Sequence, residues 1–355
     1  MLILDSHLDL SMNALEWNRD LRRSLEEVRR RESQLTDKLD RGKGVITLPE
    51  MRRGQIGVCI ATQIARYVAE GSTLPGWNSP EIAWAVSQGQ LAYYRALEEL
   101  GEMVQITDRA AFHHYVDLWK KGPSDSLPIA YILSIEGADS LLTPAHVERA
   151  FGYGLRAIGP AHYGPGRYAP GTGCDEGLTP AGRELLKQMQ QLGIALDVTH
   201  LTDRGFWEAM ELFQGTVWAS HNNCRALVPH GRQFTDEQIR ALIARDAVIG
   251  VAFDVWMLTN GWVRGKSTPE EAGVTIATVV DHIDHICQLA GNVRHCGIGS
   301  DLDGGFGREQ SPADLGSIAD LQNLVPLLTQ RGYSSADIEA IMHGNWIRCI
   351  DTIWK

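Results

Sequence analysis

Apolar residues in this chain gather into short runs, and most of the runs end on a histidine or an acid. The first is MLILDSHLDL, where an apolar start is followed by Asp5, His7 and Asp9 at alternate positions. Side chains two apart on a strand share a face, so these three are expected to point the same way. Similar runs follow at 56–65 (IGVCIATQIA), 128–137 (PIAYILSIEG, with Glu136) and 155–162 (LRAIGPAH, closing on His162). Four more come at 194–200 (IALDVTH, His200), 216–221 (TVWASH, His221), 247–254 (AVIGVAFD) and 296–305 (CGIGSDLDGG, with Asp301 and Asp303). Helical spacing fills the gaps, as in EIAWAVSQGQLAYYRALEELGEM, TPAGRELLKQMQQLG and TDEQIRALIARD, several opened by a Ser, Thr or Asp cap.

Eight strands alternating with helices predict a parallel sheet with crossover helices. Eight is also the number that closes a (β/α)8 TIM barrel, whose active site lies on long loops at the C-terminal strand ends, where these polar residues fall. An open doubly wound sheet would carry a glycine-rich phosphate loop after its first strand, and the sequence has none there. The expectation is one barrel domain over residues 1–355 with a charged helical insertion at about 11–46. That insertion (RDLRRSLEEVRRRESQLTDKLDRGKG) reads as a solvated helix with i,i+4 ion pairs, an arm or lid rather than a binding site.

Composition narrows the partners. A net charge of −11 on 355 residues disfavours nucleic acid and anionic membrane. Hydrophobic content of 44% with 22% charged residues is ordinary for a soluble globular protein. Cys59, Cys174, Cys224, Cys287, Cys296 and Cys349 lack the paired spacing of a disulfide framework or a zinc ribbon, so reduced thiols are expected. With no secretory leader and no stretch of about twenty apolar residues, the expected location is the cytoplasm.

The polar tips suggest chemistry. His7, Asp9, Glu136, His200 and His221 offer three imidazoles and two carboxylates from four strand ends. A zinc site uses about three protein ligands plus water, so five ligands suit two metals if one carboxylate bridges them, with Glu136 the natural bridge. Asp301 is placed for acid/base work with Asp303 as its rival, His162 for polarising a carbonyl, and Asp5 for orienting His7. Taken singly, each histidine is as well explained by core packing; the shared rim makes the case for a site. His282 and His285 in DHIDHIC read as a solvated helix face, and His295 and Cys296 fall at the barrel's other, stabilising end.

The stretches DSHLDL, SIEGAD, LDVTH, SHNNCRAL…HGRQ, GIGSDLDGG and GNWIRCI, in this order over nearly the whole chain, resemble the membrane (renal) dipeptidase family of zinc peptidases. The resemblance implies a barrel with two Zn²⁺ per chain that hydrolyses dipeptides, often tolerating a D-residue at the C-terminal position. It implies His7, Asp9 and Glu136 on one zinc, with Glu136, His200 and His221 on the other. Asp301 would be the acid/base and His162 would polarise the scissile carbonyl. Arg232, in HGRQ, would hold the substrate α-carboxylate with its two-donor fork, and Arg225, in NNCRAL, is the alternative. Tyr163 and Arg167 after the fourth run, and Trp256 after the seventh, are candidates to line the substrate pocket. A homodimer is the family's expectation.

The sequence departs from the mammalian members at GPAHYGPGRYAPG, and at Ser6 and Leu8, where Gly and Asn are usual; these changes bear on side-chain preference. The rival readings are another metal-dependent amidohydrolase, acting on a cyclic amide or an N-acyl amino acid, and a non-catalytic barrel. Amidohydrolases that bridge two metals through a carboxylated lysine on the fourth strand do not match LRAIGPAH, which has no lysine.

Overall fold

All eight predicted runs contain a strand in the computed structural model, which describes residues 1–122, 126–143 and 145–354. The strands are β1 (Ile3–Leu8), β2 (Ile56–Ile64), β3 (Met103–Gln105), β4 (Ile129–Glu136) and β5 (Leu155–Gly159). After them come β6 (Ala195–Asp197), β7 (Val217–Trp218), β8 (Ile249–Val251) and β9 (Cys296–Ile298). Neighbouring strands pair in parallel in the order β7-β6-β5-β4-β2-β1-β9-β8. The two ends of this path meet at a parallel bridge between Ala219 and Ile249, where Ala219 N donates to Val248 O at 3.0 Å and Gly250 N to Ala219 O at 2.8 Å. The ring is therefore nearly closed, and the fold is the (β/α)8 barrel that the alternation predicts.

The extra strand β3 pairs with Ile129–Tyr131 of β4, on the edge that β5 occupies further along. It is too short to show a period of its own. Elsewhere the predicted strands overrun the observed ones: 194–200 contracts to Ala195–Asp197, and 296–305 to Cys296–Ile298. The backbone explains why. φ is +68° at His200, +57° at Asp301 and +55° at Asp303, left-handed values that an extended strand cannot contain. Such conformations are costly for residues with a Cβ and concentrate where side chains must be aimed.

The walls are held from both sides. β2 and β4 are buried almost throughout, as parallel strands covered by helices should be. The helix Pro80–Glu99 begins at a Ser79 cap that accepts from Ile82 N, with proline in the first turn. From that helix Gln90 accepts from Ile64 N and donates to Ile64 O, both at 2.8 Å, fixing the C-terminal end of β2. Inside the ring, Ser6 Oγ faces the carbonyl oxygens of Ser220 and Ile298 at 2.5 and 2.9 Å. Gly299 permits this closeness, since a Cβ there would lie 1.8 Å from Ser220 O. Ser6 shows that strict alternation fails in β1, whose pairing with β2 shifts register between Asp5 and Leu8.

The segment 11–46 is not the solvated helix that its charge suggests. It holds two short helices, Leu10–Glu16 and Leu25–Glu32, around a buried ion network. Arg19 bonds Glu32 (Nε–Oε1 2.8 Å), Asp40 (Nη2–Oδ2 3.0 Å) and Asn13 (Nη1–Oδ1 2.7 Å), and all four side chains are buried. Asn13 in turn donates to Asp303 O at 2.7 Å, tying the segment to the loop after β9. Arg19→Met leaves buried Asp40 without its cation, while Glu32 keeps Arg41 at 3.0 Å, so stability is expected to fall by about 3–5 kcal/mol in denaturant unfolding. An unchanged unfolding midpoint would show the network to be incidental. Among the described residues, no helix is long and apolar enough to cross a membrane.

Candidate metal centre

β1, β4 and the loops after β6 and β7 deliver all five predicted ligands to one place. Glu136 Oε1 lies 3.1 Å from His200 Nε2 and 3.2 Å from His221 Nε2. Its other oxygen, Oε2, lies 3.5 Å from His7 Nε2, which is 3.7 Å from Asp9 Oδ2. One carboxylate thus turns an oxygen to each of two imidazole groupings. The three ring Nδ1 atoms point away from it, toward hydroxyls: His200 to Thr172 Oγ1 at 2.9 Å, His221 to Ser220 Oγ at 2.9 Å and His7 to the same Oγ at 3.4 Å.

This arrangement fits a metal. His7 Nε2, Asp9 Oδ1 and Glu136 Oε1 are buried with no hydrogen-bond partner, and each such orphan costs about 1–3 kcal/mol if left unmet. Ligand atoms of His7, Asp9 and Glu136 all fall within 4.8 Å of one another, as do those of His7, His221 and Asp301 and those of Glu136, His162 and His200. Imidazoles with carboxylates suit a borderline cation. Burial, with the Arg232 guanidinium nearby and, for His221, the charge on His7, holds His200 and His221 well below the ordinary imidazole range, so their lone pairs are free. Burial also opposes charge on His7, yet Glu136 and Asp9 carry it well above that range, drawing a proton to the place a bound cation would take. Against the cost of burial, the surrounding histidines hold Glu136 well below the usual carboxylate range, hence ionised.

The other predicted residues divide. Asp301 Oδ1 comes within 3.9 Å of His7 Nε2, at the centre. Asp303 turns elsewhere and accepts from the backbone N–H groups of Val45 and Ile46, so it anchors a loop and does not compete for Asp301's place. His162 Nε2 is 3.8 Å from Glu136 Oε2, and burial pushes the ring's pKa down to about 3. Asp5 makes no bond to the His7 ring; its Oδ1 accepts from the backbone of His7 and of Ser300, joining β1 to the loop after β9. His282 is no solvated residue: it is buried, and its Nδ1 accepts from Cys224 N at 3.1 Å.

The family model described as membrane dipeptidase (peptidase family M19) matches residues 1–354. The chain belongs to the membrane dipeptidase family. A Klebsiella pneumoniae protein described only by its place in the pqqA 5′ region is 32% identical over 64% of this chain and 83% of its own. The dipeptidase tcpJ of Claviceps purpurea is 30% identical over 69% of this chain, which spans about half (55%) of that longer protein. Among solved structures, a metallo peptidase from Rhodobacter sphaeroides, holding a phosphinate mimic of the dipeptide L-Ala-D-Ala, superposes with a TM-score of 0.78 at 23% identity, covering 100% of this chain and 99% of that one. That likeness concerns the fold. Membership in the membrane dipeptidase family makes the chain a peptide-bond hydrolase by kind and implies a metal cofactor.

In this member of the membrane dipeptidase family the centre opens into a cavity of about 890 Å³, lined by Tyr163, Arg232 and Trp256 among others. Arg232 is buried, with Nη1 on Asn222 Oδ1 and Nη2 on His221 O at 2.8 Å, and its Nε has no partner. Arg225 instead pairs with Asp203 through both Nη atoms, at 2.7 and 2.8 Å, and does not line the cavity. Arg167 likewise spends its donors on the carbonyls of Asp139, Leu141 and Leu142. Among the cavity residues that escaped the sequence reading, two carry charge close to the centre. Asp254, just past β8, accepts from Gln310 at 2.8 Å, and burial lifts its pKa to about 7. Arg66, just past β2, reaches His162. The Asp254 signal was there, an acid closing an apolar run; nothing local marked Arg66.

Proposed function

We propose that the protein is a zinc-dependent dipeptidase that cleaves the peptide bond of small dipeptides of the form L-Xaa-L/D-Xaa. The observation that carries this reading is the division of Glu136, one oxygen toward His200 and His221 and the other toward His7. His7, Asp9 and Glu136 would hold one zinc, with Glu136, His200 and His221 holding the second. Bound there, two zinc ions would supply Lewis acidity and lower the pKa of water toward about 7.

The remaining roles belong to the chain. Asp301 takes a proton from the attacking water and passes it to the departing amine. Burial suits it to this, lifting its carboxyl well above the usual carboxylate range, with Glu136, Asp9 and Asp254 adding to the push and His7 opposing it. His162 donates a hydrogen bond to the carbonyl oxygen as charge develops there. Arg232 binds the free α-carboxylate, which restricts the enzyme to short substrates, and Tyr163 forms part of the wall beside it. A cytoplasmic setting completes the proposal and agrees with six unpaired cysteines.

The test is a screen of the zinc-loaded protein against L,L and L,D dipeptides, L-Ala-D-Ala among them, beside N-acyl amino acids and a cyclic amide. Turnover confined to the last two groups would replace the proposal with the amidohydrolase alternative. Arg232→Ala should raise KM for dipeptides by roughly 10- to 100-fold, the worth of a lost hydrogen bond between charged groups. An analogue without the carboxylate should be spared; equal losses on both would remove the assignment.

A further inference from the structure

Four imidazoles surround Glu136, and their second nitrogens meet two different kinds of partner. Nδ1 of His7, His200 and His221 faces a serine or threonine hydroxyl. A hydroxyl can accept, so each of these rings can keep its proton on Nδ1 and present a bare Nε2 to a cation. His162 differs: its Nδ1 is met by the Nη2 of Arg66. A guanidinium has five N–H donors and no acceptor. Nδ1 of His162 must therefore be the unprotonated nitrogen, and the proton of the neutral ring must sit on Nε2. That atom lies 3.8 Å from Glu136 Oε2, at the edge of the cavity.

We infer that Arg66 is a positioning residue that fixes His162 in its Nε2–H form, making it a hydrogen-bond donor to the substrate and keeping it out of the metal ligand set. The catalytic half of this inference rests on the dipeptidase reading; the tautomer does not. Exclusion from the ligand set matters because a ligand atom of His162 lies within 4.8 Å of those of Glu136 and His200. With its proton on Nδ1, the same ring would turn a lone pair toward both the centre and the carbonyl oxygen it is meant to polarise.

The surroundings hold both partners still. Arg66 follows β2, whose end is clamped by Gln90; its carbonyl accepts from Trp77 N at 2.8 Å and its Nη1 donates to Pro75 O at 2.8 Å. Among the described residues, no carboxylate comes within ion-pair distance of its guanidinium, so its charge is not consumed by a structural salt bridge. The backbone of His162 is fixed by Thr172 N, which donates to His162 O at 2.8 Å. Gly137 and Gly171 leave room for it: a Cβ on Gly137 would stand 3.2 Å from His162 Cβ, and one on Gly171 only 1.7 Å from His162 O.

The direct test is nitrogen NMR of the purified protein, labelled with ¹⁵N at histidine, with the His162 signals assigned by their loss in His162→Asn. The expected result is the Nε2–H form at His162. An Nδ1–H form in the wild type would overturn the inference whatever the substrate proves to be. Kinetics supplies the second arm. Arg66→Met should lower kcat for a dipeptide on the order of 10- to 100-fold, as loss of a supporting partner does at comparable sites, with KM changed less than about threefold. Arg66→Lys, which keeps a donor-only cation, should recover part of the loss. In a His162→Asn background the Arg66→Met change should add nothing; a full additional loss there would show Arg66 to act independently of His162.

Discussion

Glu136→Gln is expected to empty the centre. The glutamine fits the same space, but it offers one neutral acceptor where the native residue offers two anionic oxygens. The His200 and His221 pair would lose its anion at Oε1, and His7 would lose the nearest of the three carboxylates around it. Under the proposal both zinc sites draw on this single side chain, so both should weaken together. Metal analysis after gel filtration should show well under one zinc per chain, and dipeptide hydrolysis should drop to background at any substrate concentration. The loss should be large because bound zinc is what brings the pKa of water from about 15.7 toward about 7. The fold should survive, since Glu136 makes no contact that holds strands together beyond its place in β4. Retention of two zincs with near-native turnover would show that Glu136 does not bridge, and the binuclear reading would fall.

How much of this was visible in the sequence depends on how local each cue is. A parallel strand covered on both sides is a run of apolar residues, and its end is marked by the first side chain that cannot be buried without a partner. That is why Glu136, His200 and His221 could be placed at a common rim from the sequence alone. Arg66 could not: its meaning lies in the nitrogen it touches 96 positions away, and arginine after a strand is otherwise unremarkable. The charge run at 11–46 misled for the converse reason. Arg19, Glu32 and Asp40 look like solvent-facing residues until the chain folds them on one another and excludes water. His282 misled in the same way, since its partner is a backbone N–H from another loop. Strand ends were overrun wherever a left-handed residue turned the chain, because φ at His200 and Asp301 leaves no mark in hydrophobic pattern.

Asp301→Asn separates proton transfer from metal binding at the residue where the two are hardest to tell apart. Asp301 Oδ1 stands 3.9 Å from His7 Nε2, and ligand atoms of His7, His221 and Asp301 fall within 4.8 Å of one another. Distance alone would allow it to be a ligand. Under the proposal the five other donors would already give each zinc three protein atoms, with Glu136 shared, which is what an open catalytic site takes. A sixth donor close by, on a strained left-handed residue with φ +57°, is better placed to exchange protons than to close the last position. Asparagine keeps the shape and the hydrogen-bonding reach but cannot carry a proton between water and amine. The expected outcome is a fall in kcat on the order of 10²- to 10⁴-fold, with KM near the native value and two zincs per chain. If instead the variant binds one zinc fewer and activity returns as zinc is added in excess, Asp301 belongs to the ligand set, and the proton must travel by way of another group in the cavity, of which Asp254, with its pKa near 7, is the first to examine.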